Sequence, residues 1–256
     1  MALGETLLEL QQLTERLRRD CPWDREQTAR TIVPHTVEEA YEVADAALSD
    51  DLTRLLDELG DLLFQVYFLA LLLEEQGAGD LEQVARTVHE KLVRRHPHVF
   101  GEVEARTAGR VRENWERIKT GEEGREGIFH DVPESLPAPI YARKVGRRAA
   151  TVGFDYPDAE SAFGELDDEL RELRVAISAE REEDVFDEVG DVLFASVNLA
   201  RKLGVDPELA LRATARRFVE RVEGAERLAA EEGRAFAELD LEEQDRYFDR
   251  AKEALR

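Results

Sequence analysis

Two sets of four acidic residues recur along this chain at one spacing. Glu39 and Glu42 precede Glu58 and Asp61, and Glu169 and Glu172 precede Glu188 and Asp191. Residues three apart share a helix face, so each pair projects together. The 43–57 segment has room for a turn near 49–51, which makes the two helices antiparallel neighbours and turns the pairs toward one another. Four carboxylates converging among Leu, Val, Phe and Gly repel each other, and their ionised forms need compensation. Few Lys or Arg intervene, so a divalent cation is the natural partner. An all-oxygen donor set favours Mg²⁺, with Mn²⁺ as a substitute, over zinc. A single Glu-x-x-Glu would read as a solvated helix face. The same 19-residue interval, 39 to 58 and 169 to 188, argues for a site.

Other chemistries fit less well. A di-iron centre in a helical protein uses Glu-x-x-His pairs, and none of the histidines at 35, 89, 96, 98 and 130 lies three residues after a glutamate. Cys21 is the one cysteine and has no sign of an activating partner. No Gly-rich phosphate loop is present. His96-Pro97-His98 reads as a helix-ending turn, since the proline breaks the geometry a metal pair needs. Cys21-Pro22-Trp23-Asp24 reads as a helix-to-loop junction with a buried Trp, echoed by Phe154-Asp155.

The elements that must hold these acids are helical. Helical periodicity dominates and no convincing strand alternation appears, so the fold class expected is all-α. Helices are expected near 5–19, 36–48, 51–76, 80–95 and 108–119, then near 138–150, 158–179, 181–203, 206–230 and 240–255. Asp50 or Asp51 suits an N-cap for the third, and Gly77 a stop. The stretch from Gly121 to Pro139, GEEGREGIFHDVPESLPAP, reads as a linker. A shift of 130 residues superposes Asp57–Leu73 on Asp187–Leu203 with 9 identities in 17 positions. The same shift sets EEAYEV over DELREL. Two helical-bundle units related by tandem duplication are therefore expected, 1–120 and 140–256, joined by 121–139.

Composition bounds the partners. The net charge of −23, from 35 basic and 58 acidic residues, argues against a nucleic acid polymer or an anionic membrane, though not against a small anion held through metal ions. The most apolar run, Leu62 to Leu73, spans 12 residues, short of the roughly 20 a membrane span needs. With no signal-peptide core in MALGETLLELQQLTERLRRD and a lone cysteine, a soluble cytoplasmic protein is expected.

The pair EEAYE and ELGD resembles the EExxE…ExxD signature of the MazG nucleoside triphosphate pyrophosphohydrolases, in the all-α NTP pyrophosphatase superfamily. CPWDREQT (21–28), KLVRRHPHVFGEV (91–103), ENWERIKT (113–120), DVPESLPA (131–138) and VGFDYPD (152–158) support the likeness, which covers almost the whole chain. The resemblance implies Mg²⁺-dependent hydrolysis of nucleoside triphosphates, deoxy forms included, to monophosphate and pyrophosphate, by a homodimer of helical bundles. By motif matching it implies Glu39, Glu42, Glu58 and Asp61 as metal ligands in the first unit, and Glu169, Glu172, Glu188 and Asp191 in the second. Metal ions there would neutralise the triphosphate and lower the pKa of a water attacking the α-phosphorus. Glu38, beside the ligand face, is the candidate to orient or deprotonate that water. Its counterpart Asp168 is one methylene shorter.

Cations must meet the outer phosphates. Lys91, Arg94 and Arg95 lie at i, i+3 and i+4, and Arg217 and Arg221 are their candidates in the second unit; each group is either a phosphate contact or a solvated face. Trp115 and Lys119 sit one turn apart, and Phe248 and Lys252 repeat that spacing. The aromatics either stack on a base or close the bundle as core residues. Two alternatives stay open: a relative restricted to dUTP/dCTP or phosphoribosyl-ATP, and a non-catalytic nucleotide-binding regulatory module. The 62–73 helix is apolar nearly all round and needs burial on every side. Its counterpart VLFASVNLARKL is more polar, so the first unit is expected to carry packing or a dimer interface and the second the open site.

Overall fold

The structure, a computed structural model, describes residues 2–49, 51–101, 107, 109, 111, 114, 118, 127–130, 132–179 and 181–255. Every regular element among them is helical: α1 Leu3–Asp20, α2 Pro22–Glu26, α3 Ala29–Leu48, α4 Leu52–Glu75, α5 Leu81–Arg95 and α6 Pro97–Phe100, then α7 Ala138–Ala150, α8 Ala159–Ser178, α9 Glu182–Lys202, α10 Pro207–Glu231, a 3₁₀ turn Phe236–Glu238, and α11 Leu241–Ala254. The all-α expectation holds. The chain divides into two compact units, Met1–Gly124 and Arg125–Arg256. Most of the helix expected at 108–119, and residues 121–126 and 131 of the expected linker, lie outside the described residues.

Aspartates start five of these helices, because a short carboxylate can accept the orphan N–H groups of the first turn. Asp51 accepts from Thr53 and Arg54, Asp80 from Gln83, Asp158 from Ser161, Asp206 from Leu209 and Asp240 from Glu243. At the far end of α4, Gly77 takes φ +66°. This left-handed residue lets Ala78 N–H reach back to Leu73 O at 3.0 Å, closing the helix.

In the first unit α3 and α4 pack side by side, with α1 and α5 against α4. Ile32, Phe68 and Leu72 form the buried cluster, flanked by Phe64 and Leu69. Buried Gln65 meets Thr36 Oγ1 at 3.3 Å and ties α4 to α3. Arg18 joins α1 to α4 through Glu75, at 2.7 and 2.8 Å, and donates to the Asp24 and Gln27 carbonyls at 2.6 and 2.9 Å. Two expectations change here. Helix α3 begins at Ala29, not near 36, running through Pro34. The reciprocal Thr28–Thr31 cap nucleates it upstream of the proline. Trp23 is 51% exposed whereas Asp24 is 7% exposed. The one-turn helix that Arg18 pins buries the aspartate and turns the indole outward.

In the second unit α8 and α9 pack side by side, with α7 against α9 and α10, and α11 against α10. Gly146 of α7 lies so near α9 that a Cβ there would meet Asn198 Oδ1 at 2.5 Å. Arg201 holds Asn198 Oδ1 at 3.2 Å and pairs with Asp155 at 2.5 Å. Ala225, Ala229, Tyr247 and Ala251 form the core between α10 and α11.

Candidate functional site

The helix pair α3/α4 brings Glu39, Glu58 and Asp61 together, with carboxylate oxygens within 4.8 Å of one another. The pair α8/α9 does the same for Glu169, Glu172 and Glu188. The fourth acid of each set stands close by. Glu42 is near enough to hydrogen-bond Glu39 and to raise its pKa through its charge. Asp191 acts in the same way, through its charge, on Glu169 and Glu188. Both sets form because positions three apart on one helix meet positions three apart on its neighbour.

The electrostatics are those of crowded anions. Burial lifts the Glu39 carboxyl above the ordinary range, and the charges of Asp61, Glu42 and Glu58 push it further. In the second unit burial raises Glu169, reinforced by Asp191, Glu172, Glu165 and Glu188. Burial likewise raises Glu188, with Glu172, Asp191, Asp184 and Asp187 adding to it. Glu188 Oε2 is buried and has no hydrogen-bond partner, an arrangement that is unfavourable unless something satisfies it. Burial disfavours the ionised form of these all-oxygen donors, like charges add to that, and one oxygen is orphaned. A divalent cation would relieve all three conditions, so the residues present fit one.

The neighbouring residues sort themselves by contact. Glu38 is exposed and faces His35 Nδ1 at 3.6 Å, while Trp23 meets the His35 ring edge-on at 5.8 Å. Asp168 instead pairs with Arg171. On α5, Lys91 is half-buried and Arg94 exposed, while Arg95 is 8% exposed, so the three do not make one solvated face. Arg217 is exposed and donates to Thr214 Oγ1 at 2.8 Å, and Arg221 is half-buried. Phe248 packs on the α10/α11 core, its ring 5.6 Å from Phe218, which favours the core reading over base stacking. Lys252 is half-buried on α11. Trp115 and Lys119 lie outside the described residues. His96 caps the end of α5, with Nδ1 2.6 Å from Leu92 O, as a helix-ending turn requires.

Three arginines near the acids escaped the sequence reading. Arg54 Nε donates to Glu58 Oε1 at 3.0 Å. Arg171 and Arg181 line a cleft of about 220 Å³ together with Glu172, Asp184 and Glu188. The signal was the i, i+4 spacing of Arg54 and Glu58, a standard helix ion pair.

Residues 27–100 match the MazG nucleotide pyrophosphohydrolase domain. A nucleoside triphosphate pyrophosphohydrolase of Escherichia coli (strain K12) is 40% identical over 257 residues, covering 97% of this chain and 96% of that protein. The nucleoside triphosphate pyrophosphohydrolase/pyrophosphatase MazG of Thermotoga maritima is 41% identical over 250 residues, 95% of this chain and 94% of that one. The solved structure of a mazG-related protein from Thermotoga maritima covers 44% of this chain and 97% of its own, at 29% identity and a TM-score of 0.39. With two relatives matched end to end at this identity, the chain belongs to the MazG nucleotide pyrophosphohydrolase family.

Proposed function

We propose that this protein hydrolyses nucleoside triphosphates, deoxy forms included, at the α-phosphorus to give monophosphate and pyrophosphate, and serves to clear unwanted nucleotides from the pool. The relatives' shared activity supports the reading, and the convergent carboxylates with the orphaned Glu188 oxygen carry it in this chain. Glu39, Glu42, Glu58 and Asp61 hold Mg²⁺ in one unit, and Glu169, Glu172, Glu188 and Asp191 hold it in the other. Bound there, the ion supplies charge neutralisation for the triphosphate and acidity for a water. Glu38, steadied by His35, takes the proton of that water in the first unit. Asp168 has the corresponding task in the second, released from Arg171 when substrate arrives. Lys91, Arg94, Arg217 and Arg221 are the candidates to meet the outer phosphates, and Trp115 and Lys119, outside the described residues, remain candidates from the sequence motif. The domain division near 120 and 140 and the descent of both units from one duplicated ancestor belong to the same proposal.

A homodimer fits an apolar stripe on α4. Leu52, Leu56, Leu59, Leu63, Val66 and Leu73 are 77%, 75%, 47%, 37%, 39% and 40% exposed and follow a heptad rhythm. The apolar helix that ought to be buried all round is thus covered on one side only within its unit. No described helix is long and apolar enough to cross a membrane, consistent with a cytoplasmic setting.

Purified protein incubated with Mg²⁺ and a panel of (d)NTPs tests the activity. Monophosphate and pyrophosphate in equal amounts from several substrates is the expected outcome. A single accepted substrate would favour the narrower dUTP/dCTP or phosphoribosyl-ATP enzyme, binding without turnover a regulatory module. Release of orthophosphate would rule out attack at the α-phosphorus.

A further inference from the structure

The two acid sites differ by a reversal of charge one helical turn before the ExxD glutamate. Arg54 stands four residues before Glu58, and Asp184 stands four residues before Glu188. The guanidinium of Arg54 bonds directly to Glu58, whose side chain is only 14% exposed. Asp184 offers Glu188 no donor; it is an acid where the first unit has a base, and it pairs with Arg181 instead. The second unit has arginines at hand, but they are engaged elsewhere. Arg171 pairs with Asp168, and Arg181 with Asp184 at 2.8 Å. Neither aspartate belongs to the four-acid set, so Glu188 Oε2 is left bare.

We propose that Arg54 is a built-in counter-ion that competes with the divalent cation for Glu58, so that the first site binds the ion more weakly than the second, by about tenfold or more. An ion entering the first site must displace a charge-assisted hydrogen bond and then sit beside a displaced positive charge. An ion entering the second meets an oxygen with no competing donor. The second unit therefore fills first when metal is scarce. Once displaced, the Arg54 fork is a cation beside the first site able to take a phosphate. The inference rests on both acid sets being metal sites.

Titration of the full-length chain with Mn²⁺ alone, following free ion by electron paramagnetic resonance, reads the sites without turnover. Wild type is expected to show a tight and a weak class. Glu188→Gln should remove the tight class and Glu58→Gln the weak one. Arg54→Asp should tighten the weak class toward the other by about tenfold, and Asp184→Arg should weaken the tight class by a similar factor. Both exchanged side chains are at least 39% exposed, and circular dichroism verifies that the variants keep their helix content. Equal classes in wild type, loss of the tight class in Glu58→Gln, or a weak class unmoved by Arg54→Asp would each overturn the proposal while leaving the metal sites standing. Absence of any Mn²⁺ binding would remove the metal reading as well.

Discussion

Glu188 concentrates the site's chemistry: a buried oxygen without a partner, among three other acids and Asp184. Replacing it with glutamine should lower kcat/KM at least tenfold to about a hundredfold, the range seen when even an outer partner of a metal ligand is lost. Alanine at Glu58 should act mainly on stability, because it strands Arg54. Comparing turnover and thermal melts of the two variants checks this, and equal losses of activity would contradict it. The raised carboxyls also set a pH trend. Glu39, Glu169 and Glu188 bind protons more tightly folded than unfolded. Their contribution without metal is therefore present at low pH and lost as pH rises from the ordinary carboxylate range through their raised values. Bound Mg²⁺ takes the protons' place, so the melting temperature gained by adding Mg²⁺ over chelator should be larger at pH 8 than at pH 5. At this scale the acids were legible in the sequence, because i, i+3 spacing repeated at one interval leaves few arrangements. The exposure of Trp23 and the burial of Asp24 and Arg95 were not legible. They depend on which tertiary partner claims each residue, and periodicity carries no record of that.

Helices were legible as elements and least so at their starts. Asp51 was legible as a cap that the structure uses, the structure adds Asp80, Asp158, Asp206 and Asp240 in the same role, and Pro34 hid the first turns of α3. The glycines separate local from tertiary effects. Gly190, between Glu188 and Asp191, has open space where a Cβ would go. Gly190→Ala should stabilise the protein by about 0.5–1 kcal/mol through helix propensity alone. Gly146→Ala faces buried Asn198 at 2.5 Å, an amide already held by Arg201. Overpacking there should exceed the propensity gain and destabilise by about 1 kcal/mol or more. Urea melts of both variants measure the two signs, and stabilisation by Gly146→Ala would show that α7 and α9 can part freely.

For the whole molecule, the informative feature is the α4 stripe. Leu56 is 75% exposed in a heptad row of apolar neighbours, a surface monomers rarely leave open. Leu56→Glu should convert a dimer into a monomer in light scattering; an already monomeric wild type would refute the homodimer. The expectation of two related units rested on matching segments alone, 9 identities in 17 positions. Helix α4 joins two roles along one 24-residue rod. Glu58 and Asp61 meet Glu39 of α3 on one side, and exposed leucines, the surface of the proposed homodimer, lie on another. Mixing protomers that are separately impaired, one in Glu58 and one in Leu56, should then reveal whether assembly tunes chemistry. In the proposed homodimer, loosening of the facing helix would reach these acids within a single turn, so the first site's affinity for Mn²⁺ should decline on dilution well before the chain unfolds.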